Sequence, residues 1–163
     1  MIKGVDTIEV PAKWEVSYNY DIGETASRFF VELRDNARLL ATQCPDCGRV
    51  LFPPRSFCEQ CFVSLKGHWI EIKPEGTLEA FTLVTEDYSF PGMPETPYVI
   101  CLVRFGEAST AIPQILRGVD LSDPKKAVQG LSVGMPVRAV FKDKREGRIE
   151  DFHVEPVRQT GVG

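Results

Sequence analysis

Four of the five cysteines stand in two pairs, Cys44-Pro45-Asp46-Cys47 and Cys58-Glu59-Gln60-Cys61, with ten residues between the pairs. A C-x2-C pair forms a tight knuckle whose backbone N–H groups can point at the sulfurs. Two such pairs can surround one tetrahedral ion, which is the spacing of a zinc ribbon. Gly48, just after the first pair, suits a backbone position with φ > 0. Four protein ligands leave no position open for water or substrate, so the implied metal is structural and not a Lewis acid. Zinc is the default ion, and iron in a rubredoxin-like site shares the same ligand spacing.

A chain of 163 residues is long enough for one compact domain or a small domain with an appendage. Nineteen basic and 23 acidic residues give a net charge of −4, which is no footprint for a polyanion partner, although a local basic patch stays open. No apolar run approaches the ~20 residues of a membrane span. Met1 to Tyr20 mixes charges and lacks the apolar stretch of a signal peptide. Cysteines in metal spacing fit a reducing compartment, and the expected location is the cytoplasm.

Three segments are predicted: residues 1–40 as an arm and amphipathic helix, 41–66 as the zinc ribbon, and 67–163 as a barrel. In the arm, Trp14, Val16, Tyr18 and Tyr20 alternate with polar residues, as in a short strand. The arm either packs over the core, the preferred reading for Trp14, or reaches a partner. Residues 24–40 carry a helical stripe at Ala26, Phe29, Phe30, Leu33, Ala37 and Leu40. Asp21 with Glu24, or Thr25, is placed to cap it. The stripe precedes a metal knuckle, so part of it, including Phe29 and Phe30, is a candidate contact for another subunit. Val50 to Phe52 reads as a short strand ended by Pro53-Pro54.

Beyond Gly67 the pattern is that of strands. Trp69, Ile70 and Ile72 form a connector. Thr77 to Thr85 alternates, with Leu78, Ala80, Thr82 and Val84 on one face and Glu79, Phe81 and Leu83 on the other. Tyr98 to Phe105 is nearly all apolar and should be central. Ser109 to Leu116 follows, with Pro113 marking an edge or bulge. Asp123-Pro124 opens a short helix that stops at Gly130. Val137 to Lys142 and Arg148 to Val154 close the set around a charged turn. Five strands with a helix between the third and fourth match an OB-type barrel. The predicted fold is mainly β, with an N-terminal helix and a zinc ribbon followed by a five-stranded OB-type barrel.

Catalytic chemistry is hard to find in these residues. His68 and His153 sit in strand or connector context and read as structural or surface histidines. Cys101, between Ile100 and Leu102, reads as a small core residue, since burial raises a thiol's pKa. Phosphate loops and nucleophile elbows are missing. The loop from Asp87 to Pro97 is stiffened by prolines yet carries Tyr88, Phe90 and Met93. These side chains either form a binding lip or fold back over the barrel mouth. Lys142, Lys144, Arg145 and Arg148 form a basic cluster, either a solvated hairpin or a seat for the phosphates of a nucleotide-like ligand.

The order of parts resembles a known family of small acyl-CoA-associated proteins with an N-terminal helical segment, a rubredoxin-like zinc ribbon and a C-terminal OB-fold. The matching residues are Phe29-Phe30, Leu39-Leu40-Ala41-Thr42-Gln43 leading into the first knuckle, Phe52-Pro53-Pro54-Arg55, Cys58 to Cys61, and Trp69. In the barrel they are Gly76-Thr77-Leu78, Pro97-Tyr98-Val99 and Gly134-Met135-Pro136-Val137. The resemblance implies a non-catalytic partner of a thiolase-fold subunit. In such a complex this chain helps form the acyl-CoA site, a CoA thioester is the substrate, and the partner supplies the nucleophilic cysteine. Some relatives instead join hydratases or aldolases acting on steroid acyl-CoA. A competing reading is a single-stranded nucleic-acid module, since ribbons and OB-folds both bind single strands. The acidic balance stands against it.

Overall fold

The computed structural model describes residues 7–87 and 93–157. Its helix α1 (Gly23–Asn36) ends earlier than the apolar stripe predicts. Ala37 turns into the left-handed region at φ 51° and ψ 44°, and its N–H returns to the Glu32 carbonyl. Ala37 and Leu40 therefore match the helical period without being helical. Leu39 and Leu40 open strand β1 (Leu39–Gln43), where four successive residues are buried. At the other end Asp21 Oδ1 accepts from the Gly23 N–H at 2.7 Å, while Ile22, the N-cap, supplies no side-chain bond. Phe29 and Leu33 are buried on the inner face of α1, and the Arg28 guanidinium lies 4.6 Å from the centroid of the Trp69 ring. Residues 7–22 form neither helix nor strand, and Trp14 is 88% exposed, so the arm does not pack over the core.

The ribbon is built on β1, β2 (Val50–Leu51), the hairpin β3 (Phe57–Cys58) and β4 (Val63–Ser64), and β5 (Trp69–Ile72). Residues 69–72 are no mere connector. They pair antiparallel with β1, from Leu39 opposite Ile72 to Thr42 opposite Trp69, and give a sheet of order β2-β1-β5. Hydrogen bonds stitch this sheet to the barrel. Thr110 Oγ1 donates to the Phe52 carbonyl at 2.6 Å and accepts from the Phe52 N–H at 2.9 Å. The Ser109 N–H donates to the Val50 carbonyl at 2.7 Å.

The barrel has five strands: β6 (Glu75–Val84), β7 (Tyr98–Phe105), β8 (Ile112–Leu116), β9 (Pro136–Phe141) and β10 (Phe152–Pro156). They close in the order β10-β8-β7-β6-β9, with helix α2 (Pro124–Gln129) between β8 and β9. This is the connectivity of an OB-fold. Asp123 Oδ1 accepts from the Lys125 and Lys126 N–H groups and caps α2 as its sequence suggests.

Two barrel expectations need correction. The alternation along β6 is broken, because the register with β7 shifts between Leu78 and Ala80. A bulge there changes the face presented by later residues. Leu78 is buried and Phe81 and Leu83 pack on the core, while Ala80 and Thr82 are exposed. The last strand begins at Phe152 and not at Arg148, because Ile149–Asp151 forms a 3-10 turn. Pro113 lies on a stretch of β8 that pairs with β7, whereas β8 meets β10 only at Leu116 opposite Val154. A missing donor is tolerated on such an open stretch. Gly76 sits where β6 joins both β7 and β9; a Cβ there would stand 2.8 Å from the Arg104 carbonyl oxygen.

One hydrophobic core joins helix, ribbon sheet and barrel. Its spine is a file of rings in contact, Phe30, Phe29, Phe52, Phe105, Phe152 and Phe141, with successive centroids 5.1 to 6.0 Å apart. Three of these pairs meet edge to face, Phe29–Phe52, Phe52–Phe105 and Phe105–Phe152, and such pairs add roughly 0.5–1.5 kcal/mol each beyond area burial. Phe52, contributed by the ribbon, is fully buried between a helical and a barrel ring. The distal ribbon has its own small cluster: Cys44, Leu51, Cys58 and Leu65.

Candidate metal centre and apolar cleft

The two knuckles bring Cys44, Cys47, Cys58 and Cys61 together, with all four sulfurs within 4.8 Å of one another. Cys47 Sγ and Cys58 Sγ are 3.8 Å apart. A tetrahedron with metal–sulfur bonds of about 2.3 Å has edges of about 3.8 Å, so this donor set fits a zinc ion. The knuckles share one design. The Gly48 N–H donates to the Cys44 carbonyl and the Phe62 N–H to the Cys58 carbonyl, both at 2.9 Å. Gly48 has φ 72° and Phe62 has φ 57°. Cys44 and Cys58 are buried, and Cys47 faces solvent. Hydrogen bonding to Cys47, then burial and the nearby Cys44, pushes the Cys61 thiol up to about 12. A bound dication would draw the four sulfurs to thiolates. The metal centre these residues imply is structural.

A second feature lies where α1, the ribbon and the barrel meet. A cleft of about 550 Å³ is walled by Phe29 and Phe30 of α1, Pro53 and Pro54 after β2, Ile100 of β7, and Ile112 to Ile115 of β8. Phe152 and His153 of β10 close its far side, and Met93 and Pro94 stand at its edge. Arg117, Lys142 and Glu150 bring charge to the rim. His153 Nε2 lies 3.2 Å from Glu155 Oε1.

Among the contact residues expected from sequence, the cleft thus gathers Phe29, Phe30, Met93 and Lys142. Tyr88 and Phe90 lie outside the described residues. Lys144 pairs with Glu146 at 3.8 Å. Arg145 turns inward, donating from Nε to the Arg34 carbonyl and from Nη1 to the Lys142 carbonyl. Ile100, Ile115, Arg117 and His153 were not singled out for the cleft. Ile100 and Ile115 sit on outward positions of barrel strands, and only an unexplained apolar residue on an outer face signals such a wall. Cys101 is buried, donates to the Gln114 carbonyl at 3.3 Å, and has its thiol pushed up to about 12 by that burial.

Comparison with known proteins places this architecture. Residues 32–65 match the ChsH2 rubredoxin-like zinc ribbon domain, and residues 69–142 match the ChsH2 C-terminal OB-fold domain. A DUF35 domain-containing scaffold protein of Methanocaldococcus jannaschii is 25% identical over 122 residues, covering 73% of this chain and 78% of the relative. Another, from Methanothermobacter thermautotrophicus, is 28% identical over 109 residues, covering 66% and 74%. A solved DUF35-family protein of unknown function from Sulfolobus solfataricus superposes with a TM-score of 0.60 at 24% identity, over 83% of this chain and 87% of that one. The solved Ltp2-ChsH2(DUF35) aldolase gives a TM-score of 0.57 at 22% identity, over 84% and 98%. With both domain matches in chain order on one continuous core, the chain belongs to the ChsH2/DUF35 family, with its zinc ribbon and C-terminal OB-fold.

Proposed function

We propose that this chain is the non-catalytic accessory subunit of a thiolase-type acyl-CoA complex. In that complex a thiolase-fold partner carries the nucleophilic cysteine, and this chain completes the wall of the acyl-CoA site. The observation that carries the reading is the apolar cleft at the junction of helix, ribbon and barrel. Its size suits an acyl group, and Arg117 and Lys142 at its rim suit the phosphates of CoA. Cys101 has a buried, high-pKa thiol, so it is a poor nucleophile. The archaeal relatives are named scaffold proteins, and one solved relative is described as an Ltp2-ChsH2(DUF35) aldolase.

The finer form of the proposal is the small subunit of benzoylsuccinyl-CoA thiolase, from anaerobic toluene breakdown. It rests on the sequence resemblance alone. The aldolase relative favours a second reading, an accessory subunit of an aldolase or hydratase acting on steroid acyl-CoA.

The test is to produce the chain alone and together with the thiolase-fold protein encoded nearest it. The two should co-purify, and thioester cleavage should need both. Turnover by this chain alone, or full activity of the neighbour without it, would overturn the proposal.

A further inference from the structure

The arm before α1 has a regularity that the monomer does not use. From Ile8 to Ile22 every even position is apolar, and every odd position is polar or proline. This is the period of a strand with one buried face. The backbone here is extended enough to keep the two sets apart. Tyr18 and Tyr20 contact each other with centroids 6.0 Å apart, and Lys13 pairs with Glu15. Yet among the described residues nothing covers the apolar face: Trp14 is 88% exposed, Tyr18 75% and Tyr20 74%. Over 15 residues such a strand reaches about 50 Å.

We infer that residues 8–22 dock as an extended, strand-like clamp on a different protein, with the even face against an apolar surface of that partner. The inference deepens the accessory-subunit reading and rests on it for the partner's identity. Three observations select a different protein over a second copy. Among the described residues, this chain's free sheet edges are short: β5 has four residues, and the two-residue β2 is already bonded to Ser109. The barrel is closed, and its longest stretch left unpaired on one side among the described residues, β6 from Glu79 to Val84, is under half the length of the arm. Both copies would also carry the same net charge of −4. Position supports the role. The arm runs into α1, whose Ala26 lines the cleft, and Glu24 holds Lys66 at the end of the ribbon at 2.8 Å. A protein clamped by the arm is therefore held beside the cleft. The three aromatics alone can bury roughly 450–750 Å², a large part of the ~800 Å² each partner gives to a standard interface. Pro11 removes a donor from one edge, so backbone pairing with the partner is continuous only from Ala12 onward on that side.

The test compares two triple variants of the full chain for affinity toward the co-expressed thiolase-fold protein. Trp14→Ser with Tyr18→Ser and Tyr20→Ser strips the even face; Lys13→Ser with Glu15→Ser and Ser17→Ala alters the odd face. Bound zinc reports that the ribbon is intact in both. The even-face variant should bind at least about 100-fold more weakly, because buried aromatic anchors dominate interface energy. The odd-face variant should stay within about threefold. Equal losses on both faces, or none on either, would overturn the clamp while leaving the accessory-subunit reading in place. Failure of the unaltered chain to bind would overturn both. Binding that needs the even face, while turnover ignores this chain, would sink the subunit reading and leave the clamp standing. An arm-dependent dimer in sedimentation velocity, or Trp14-dependent binding of the lone chain to phosphatidylcholine vesicles, would also overturn the proposal.

Discussion

Arg145 Nε donates to the carbonyl of Arg34 at 2.9 Å, joining residues 111 positions apart in the chain. Arg34 lies in the last turn of α1, where carbonyls lack helical partners and the helix dipole is negative. The same guanidinium donates from Nη1 to the Lys142 carbonyl at 2.7 Å. One side chain thus spans helix and barrel. Arg145→Ala should lower unfolding stability by about 1–2 kcal/mol, toward the low end for bonds from a charged donor because both bonds are solvent-exposed. Arg145→Lys should recover only part of this, because an ammonium lacks the planar fork that reaches two carbonyls. Urea denaturation checks both, and an unchanged midpoint for the alanine variant would show the bridge to be idle.

The next loop turns on Asp151, a carboxylate only 3% exposed. Its oxygens accept from the N–H groups of Glu146, Gly147 and Arg148 at 2.6 to 3.0 Å. Burial acts to raise its pKa. The bonds from Arg148, Glu146 and Gly147, with help from Lys142, outweigh burial and hold it below the usual carboxylate range. A depressed folded pKa contributes stability that is complete above the unfolded value of about 3.9 and is lost as pH falls below it. Asp151→Asn should cost about 1–3 kcal/mol at neutral pH, since its amide sets N–H against N–H. It should also flatten the acid limb of a stability-versus-pH curve. An acid limb as steep as that of the unaltered protein would assign the effect to other carboxylates.

Metal removal should act unevenly on the ribbon. The sheet β2-β1-β5 contributes Leu39, Leu40, Ala41, Val50 and Ile72 to the main core. The hairpin β3–β4 and both knuckles lean on the small sulfur-lined cluster. A strong chelator, or Cys58→Ser, should therefore release hydrogen-exchange protection around residues 44–48 and 56–65 while β1, β5 and the barrel stay protected. Loss of bound metal with unchanged protection in the knuckles would contradict this division.

These local results show what the chain order discloses and what it hides. The cysteine spacing, the Asp123-Pro124 cap and the five-strand succession were legible because each rests on local chemistry. The end of α1 was not. Ala37 and Leu40 fit the helical period, and a left-handed alanine carries no residue-type signature. The bulge at Glu79 left no mark either, since it depends on how β7 pairs with β6. Trp69–Ile72 looked like a link because its partner strand lies about thirty residues earlier. Half of the cleft wall was hidden for a related reason: Ile100 and Ile115 become neighbours only once β7 and β8 pair.

The second knuckle carries a correctable cost. Phe62 occupies the left-handed position that Gly48 holds in the first knuckle, at φ 57°. Its ring is 77% exposed and touches Phe57 at a centroid distance of 6.4 Å. A Cβ in that region costs roughly 1–2 kcal/mol. Phe62→Gly should raise the ribbon's resistance to chelator, by no more than about 1 kcal/mol once the lost ring contact and added chain entropy are set against the relief. Competition with a chromogenic zinc chelator measures it, and weaker metal retention would mean that the ring contact outweighs the strain.

The cleft gives the most direct functional prediction. Ile115 is half-buried on β8, pairs with Ile100, and lines the apolar wall without entering the barrel interior. Ile115→Asn keeps the number of side-chain heavy atoms but puts an amide where an acyl chain would lie. Apolar contact worth about 1–3 kcal/mol is then replaced by a polar group that the acyl chain must desolvate, which predicts a rise of about 5- to 150-fold in KM for the acyl-CoA in the assembled complex. Stability should fall little because the site is already partly hydrated, so thermal unfolding serves as the control. Lys142→Ala probes the other end of the ligand: losing an exposed rim cation should raise KM only a few-fold, and the rise should shrink at high salt. If KM ignores both variants while partner binding persists, the cleft faces away from the chemistry, and the acyl group lies wholly within the partner.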